Sequence, residues 1–295
     1  MFYQMKISIA FAFLSLLFFS CSPSEPIQEE FLLAGSGFDK IIQINRAGEI
    51  LWEHPLEAGQ ECNSVVSMSG DRILYAHNTG AKIIDKSHQV LWQYHTPENS
   101  ELQSVKELPN GNILLGQCGS PAKIMELDPS GNLLKQISFE TGIENPHGQL
   151  RHVNKTKEGT YLLGLFDKEC VLEIDENGQV LKSFDVQCPP FAVLPLSDST
   201  WLVSGGDSNQ IKFISTSDGR LIHKIEGKDV GLKLRFIAEM IPTEHNTLLV
   251  TNWGGHEPGV ESTQVFEMDS NENVIWKLSE ELPIGNISSI SRVKN

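Results

Sequence analysis

The feature that most constrains this chain is a short apolar segment that recurs six times. It reads Phe31-Leu32-Leu33-Ala34, Ile73-Leu74-Tyr75-Ala76, Ile113-Leu114-Leu115-Gly116, Tyr161-Leu162-Leu163-Gly164, Trp201-Leu202-Val203-Ser204 and Leu248-Leu249-Val250-Thr251. Successive copies start 42, 40, 48, 40 and 47 residues apart, close to the roughly 40–45 residues of a four-stranded propeller blade. Each copy leads into a strand, a polar turn and a second strand, as in Lys123 to Asp128, Pro129-Ser130-Gly131-Asn132 and Leu133-Leu134-Lys135. Period-two alternation interrupted by Asp, Asn and Gly is hairpin chemistry. The strand after the turn carries a repeated slot, filled by Trp52, Trp92, Lys135, Lys182, His223 and Trp276, whose indoles are expected to cover the seams between neighbouring blades. The predicted fold class is all-β, a six-bladed β-propeller of four-stranded blades over residues 31–295. The first repeat lacks its leading strand and the segment Ile287 to Val293 has no continuation. The C-terminal strand is therefore expected to close the ring, which removes two open sheet edges.

The N-terminus has a different character. Lys6 precedes an uncharged run from Ile7 to Phe19, then Ser20 and Cys21, the layout of a secretory signal and too short for a membrane span. Leu17-Phe18-Phe19-Ser20-Cys21 resembles a bacterial lipobox, with bulkier residues at Phe18 and Phe19 than the usual pattern. That resemblance implies cleavage before Cys21 and lipid attachment to it. Residues 1–20 are then the signal peptide, 21–30 a polar tether of the kind placed between an anchor and a domain, and the membrane a partner through Cys21. The expected location is extracytoplasmic, on the outer membrane or cell surface.

Charge narrows the partners. The chain carries 23 Lys and Arg against 38 Asp and Glu, a net charge of −15. Such a surface repels phosphate backbones, so nucleic acid is not an expected partner. After Cys21 come Cys62, Cys118, Cys170 and Cys188, whose spacings form no C-x-x-C motif and read as buried thiols.

The phrases Leu108-Pro109-Asn110-Gly111-Asn112-Ile113-Leu114-Leu115 and Glu126-Leu127-Asp128-Pro129-Ser130-Gly131-Asn132 resemble bacterial propellers of the PQQ-binding-like and arylsulfotransferase-like type. The resemblance spans most of residues 31–293 and speaks for architecture. Quinone chemistry in such proteins would call for an adjacent cysteine pair, which this chain lacks. No cofactor is expected. An arylsulfotransferase-like mechanism would need a nucleophilic histidine with cationic partners, for which His147, Arg151, His152 and His256 are the candidates. His147 and His152 lack ligand spacing for a metal, and none is expected.

A propeller binds at the mouth of its central channel, where the innermost strands start. Aligning those starts gives a column of Asn63, Gln103, Arg151, Phe191, Phe236 and Ser288, followed by a column of Ser64, Ser104, His152, Ala192, Ile237 and Ser289. One half of the mouth is polar and the other apolar, as an amphipathic or sugar-like ligand requires. Loops after the apolar strands add Asp207 and the run Asn252-Trp253-Gly254-Gly255-His256. The expected binding residues are Asn63, Gln103, Arg151, His152, Asp207, Asn252, Trp253 and His256. Two functional classes stay open: a ligand-binding or protein-interaction module, with glycans and envelope proteins as candidate partners, and an enzyme of the channel mouth working by sulfuryl transfer or lyase-type chemistry with a catalytic histidine.

Overall fold

The computed structural model describes residues 29–255, 262–279 and 285–294. Six four-stranded antiparallel sheets form the blades I to VI of a β-propeller. Blade III shows the pattern: Glu101–Glu107 is innermost, followed outward by Ile113–Cys118, Ala122–Leu127 and Leu133–Phe139. The recurring apolar segments are the second strands. Every residue of Ile113–Cys118 is buried, because neighbouring blades cover both faces of the sheet, and such a strand reads as a continuous apolar run.

Blade I joins the two ends of the chain. Its innermost strand is Asn286–Arg292, which runs antiparallel to Glu30–Ser36 with Leu33 opposite Ile290. The C-terminal strand thus closes the ring as the unpaired repeat implied. Glu29, where the described chain enters, accepts from both Arg46 and Arg292.

Side chains stitch the innermost strands together across the channel. Ser289 Oγ accepts from the Val65 N–H at 3.0 Å, Ser64 Oγ from Val105 at 3.4 Å and Ser104 Oγ from Val153 at 3.0 Å. Asn154 Nδ2 donates to the Val193 carbonyl at 2.8 Å. Between blades V and VI, Gly206 and Ile237 exchange two backbone hydrogen bonds of 3.1 and 3.2 Å. At the closing seam Glu239 Oε2 accepts from Ile290 N–H at 3.0 Å and Ser289 Oγ at 2.7 Å.

A second set of contacts links the outer strands. Trp52 donates its indole N–H to the Lys86 carbonyl and Trp276 to that of Arg46, both at 3.0 Å. Asp128 shapes an outer turn by accepting from the Ser130 and Asn132 N–H groups at 2.9 Å. Gly131 in that turn has φ +88°, and a Cβ there would lie 2.1 Å from the Trp92 indole nitrogen, so the turn tucks under the tryptophan of the preceding blade. Where the slot is not Trp, polar contacts replace it. Lys135 pairs with Glu176 at 2.7 Å, the Lys182 ammonium sits 5.1 Å over the Trp201 ring, and His223 Nε2 meets Glu272 at 2.5 Å. The four cysteines Cys62, Cys118, Cys170 and Cys188 are free thiols.

Replacing an indole leaves space behind. Grooves of about 480 Å³ open at the blade IV/V and V/VI seams, and the latter is lined by Leu202, Phe213, Ile225, Leu248 and Met268 beneath His223. An indole fits over such a turn. Trp52 stacks at 5.3 Å on His88, which like Glu272 has positive φ, 70° and 65°. His223→Trp is therefore expected to fill the V/VI groove and stabilise the protein by about 1 kcal/mol, a rise in Tm of roughly 2–4 °C. The exposed His223–Glu272 contact it removes contributes little. Calorimetry reads the result; an unchanged or lower Tm would show that the groove does not admit the ring.

Candidate functional site

The column that begins the innermost strands converges on one end of the channel. Asn63, Gln103, Arg151, Phe191, Phe236 and Ser288 all line a cavity of about 360 Å³, joined by His147 and Trp253. Phe166, Phe191, Phe236 and Trp253 make an apolar wall. Phe191 and Phe236 meet edge to face at 5.5 Å and 86°, and Phe236 meets Trp253 at 4.8 Å and 64°, geometries favoured by ring quadrupoles. The remaining lining is mostly polar: Glu61, Asn63, Gln103, Asn145, His147 and Asp167.

The polar wall is pre-oriented. Asn63 Nδ2 donates to the Leu102 carbonyl at 3.0 Å. Glu101 accepts from Gln103 Nε2 at 2.7 Å and pairs with His147 Nδ1 at 3.0 Å. The bond from His147 holds the Glu101 carboxyl below its ordinary value. His147 sits on the short 3₁₀ turn Pro146–Gly148, capped by Asn145, whose side chain accepts from the His147 N–H at 3.2 Å. Gly148 lets the Asp167 carboxylate pack on this turn, since a Cβ would fall 1.7 Å from one of its oxygens and displace that side chain.

The structure separates other expected site residues from the cavity. Successive side chains of an extended chain point to opposite sides, so Arg151 lines the mouth while His152 drops beneath its floor, 1% exposed and tilted against Phe191 at 5.2 Å. Asn252 is likewise buried and structural. It accepts from the Arg235 N–H at 2.7 Å and donates to the Lys233 and Thr263 carbonyls at 3.0 and 2.9 Å, fixing the loop beside Trp253. Asp207 is exposed and is not among the residues lining the cavity. Cys21 and His256 lie outside the described residues.

Sequence reasoning missed two carboxylates. Glu101 precedes Gln103 by two residues and orients two cavity residues at once. Glu239 interrupts the otherwise apolar Phe236–Pro242; a lone acid in an innermost strand was the available signal. Burial raises its carboxyl above the usual range, and its second oxygen lies 3.8 Å from His152 Nδ1 and 3.9 Å from Lys106 Nζ. Among the described residues no group of three or more His, Cys, Asp or Glu could hold a metal ion.

The geometry can be set beside known proteins. The family model described as Mal s 1 allergenic protein-like matches residues 38–273. The chain belongs to that family. A crystal structure of a Bacteroides caccae protein of unknown function is 37% identical over 91% of this chain and all of its own, with a TM-score of 0.87. Virginiamycin B lyase from Staphylococcus aureus is 17% identical, covers 88% and 85% of the two chains, and has a TM-score of 0.60. A chain of a nidogen/laminin complex is 10% identical, with coverage of 90% and 98% and a TM-score of 0.64. The last two likenesses are of fold alone. No curated protein matches. The family match and the solved structures support the family and the six-bladed propeller and do not extend to the likeness with PQQ-binding-like and arylsulfotransferase-like propellers.

Buried histidines give this family member a pH response. Burial pushes His77 down to about 4 and His152 well below its ordinary value, so both are neutral in the fold. Unfolded histidine takes up a proton below about pH 6.5. Across the window from about 6.5 to 4 the unfolded state binds more protons, so stability falls as pH falls. Glu239 works in the opposite sense, its raised carboxyl binding a proton first in the folded state. Burial lowers His54 as well, so with three histidines against one acid Tm is expected to drop between pH 7 and pH 5. Melts of the His77→Gln/His152→Gln variant should show a flatter profile; an equally steep one would assign the drop to other groups.

Proposed function

We propose that this propeller is an exported, lipid-anchored binding module whose channel mouth takes a glycan. The observation that carries the reading is the division of one 360 Å³ cavity into an aromatic wall and a wall of amides, carboxylates and an imidazole. Sugars present the same division, with C–H faces that stack on rings and hydroxyls that pair with Asn, Gln, Asp and Glu. Asn63, Gln103 and His147 are held by hydrogen bonds before any ligand arrives, which lowers the ordering cost of binding. The anchor would be the lipid at Cys21, holding the domain at the outer membrane or cell surface.

A second reading, an enzyme of the mouth, draws on one observation. His147 Nδ1 lies 3.0 Å from the Glu101 carboxylate, the pairing that orients an imidazole for general base work. Lyase-type chemistry would use Nε2 of that ring. His152, buried under the floor, has no place in such a step.

Two experiments test the proposal. In calorimetric titration with a panel of oligosaccharides, Trp253→Ala should weaken the best ligand roughly tenfold or more, since ring stacking contributes about 0.5–1.5 kcal/mol beyond burial. Affinity that survives the change, with a fall in Tm instead, would make Trp253 a packing residue and remove the stacking wall. In cells of the source organism, Cys21→Ser should move the protein from membranes to the soluble fraction. Unchanged membrane association would refute lipid attachment there.

A further inference from the structure

Arg151 is the buried charge at the mouth, where Glu61 is half-buried and Asp167 exposed. The arginine is 7% exposed and lines the cavity, yet among the described residues it makes neither a hydrogen bond nor an ion pair, and its Nη1 is buried without a partner. The Phe166 ring lies 4.9 Å from its guanidinium carbon. A guanidinium presents five N–H donors in its own plane. A ring stacked on one face satisfies none of them. Leaving buried charged donors unpaired is costly, and burial accordingly pulls the Arg151 pKa downward.

The protein had acceptors to offer and did not use them. Glu61 and Asp167 line the same cavity, and Glu101 is committed to Gln103 and His147. These carboxylates act on Arg151 through space only. The guanidinium thus lines the cavity almost dry and without a partner among the described residues, a group whose matching ligand is a planar acceptor with two oxygens. A dianion is disfavoured, because one guanidinium would face it together with two lining carboxylates. A single carboxylate neutralises Arg151 and leaves the acids free to accept hydroxyls.

We propose that Arg151 recognises a carboxylate and that the ligand of the mouth is a sugar acid, a uronic-acid residue of a glycan. The inference rests on the glycan reading and adds the acid. The ring of the uronate stacks against the aromatic wall, its carboxylate takes the guanidinium fork edge-on beside Phe166, and its hydroxyls face Asn63 and Gln103.

The test uses the mature chain and four probes: a glucuronic-acid-terminated disaccharide, its methyl ester, the glucose-terminated counterpart and the 6-sulfated form of the last. A charge-assisted bond contributes about 1.5–3 kcal/mol, so the acid should bind roughly 10- to 100-fold more tightly than the ester or the neutral sugar. Arg151→Gln should bring the acid down to the affinity of the neutral sugar, and Arg151→Lys should keep only part of the difference, having the charge without the fork. The ester comparison needs no variant and stands even if Arg151→Gln fails to fold. Equal binding of acid, ester and neutral sugar would overturn the carboxylate and leave the glycan reading intact. A sulfated probe as tight as the acid would overturn the planar acceptor. Preference surviving in Arg151→Gln would overturn the assignment to Arg151. No binding of any probe would overturn the glycan reading and this inference with it.

Discussion

The innermost strand of each blade is a sheet edge facing its neighbours across a channel too tight for another strand, and the rest of the structure depends on how those edges are satisfied. Buried backbone N–H groups without partners are rare because each costs a lost hydrogen bond. Here a neighbouring blade supplies the missing partner at every seam: a serine hydroxyl at three, an asparagine amide at one, a backbone pair at one and the Glu239 carboxylate at the last. These bonds set the register from one blade to the next. Register in turn decides which residue of each innermost strand reaches the mouth, because a slip of one residue would exchange the lining column for the buried one.

That dependence explains what was legible in the sequence. The repeat announced itself wherever all six copies face the same problem: the doubly covered second strand, the Asp- and Gly-bearing outer turn, the tryptophan slot. The mouth column was legible through the same alignment, since Asn63, Gln103, Arg151, Phe191, Phe236 and Ser288 hold one place in six equivalent strands. What the alignment could not carry was depth. Arg151 and His152 are neighbours in sequence with similar chemistry, and only the direction of the chain at that bend sends one into the cavity and the other under the floor. Asn252 shows the same limit, for its three hydrogen bonds go to loop backbone that has no counterpart in other blades. Glu239 is legible only as an exception, an acid in the middle of the otherwise apolar strand Phe236–Pro242.

Symmetry and its breaking divide the labour. Blades I to III give the mouth Ser288, Asn63 and Gln103, and blades V and VI give it Phe191 and Phe236, with Arg151 of blade IV between them. The outer ring is uneven too. Tryptophan seals the seams that follow blades I, II and VI, while lysine and histidine stand at the others and leave two grooves open. A propeller tolerates this unevenness because each seam is stabilised locally, so one blade can change its chemistry without dictating that of the next.

The closing pair in blade I also fixes which way the molecule points. Ser36 and Ser288 lie at the mouth, and the two antiparallel strands that hold them run down the channel wall to Glu30 and Arg292 at the far end. Seven extended residues span roughly 20 Å, so both ends of the described chain leave through the face opposite the cavity. Any attachment made through either end, a lipid, a support or a fused domain, therefore presents the mouth outward, away from whatever surface holds the protein.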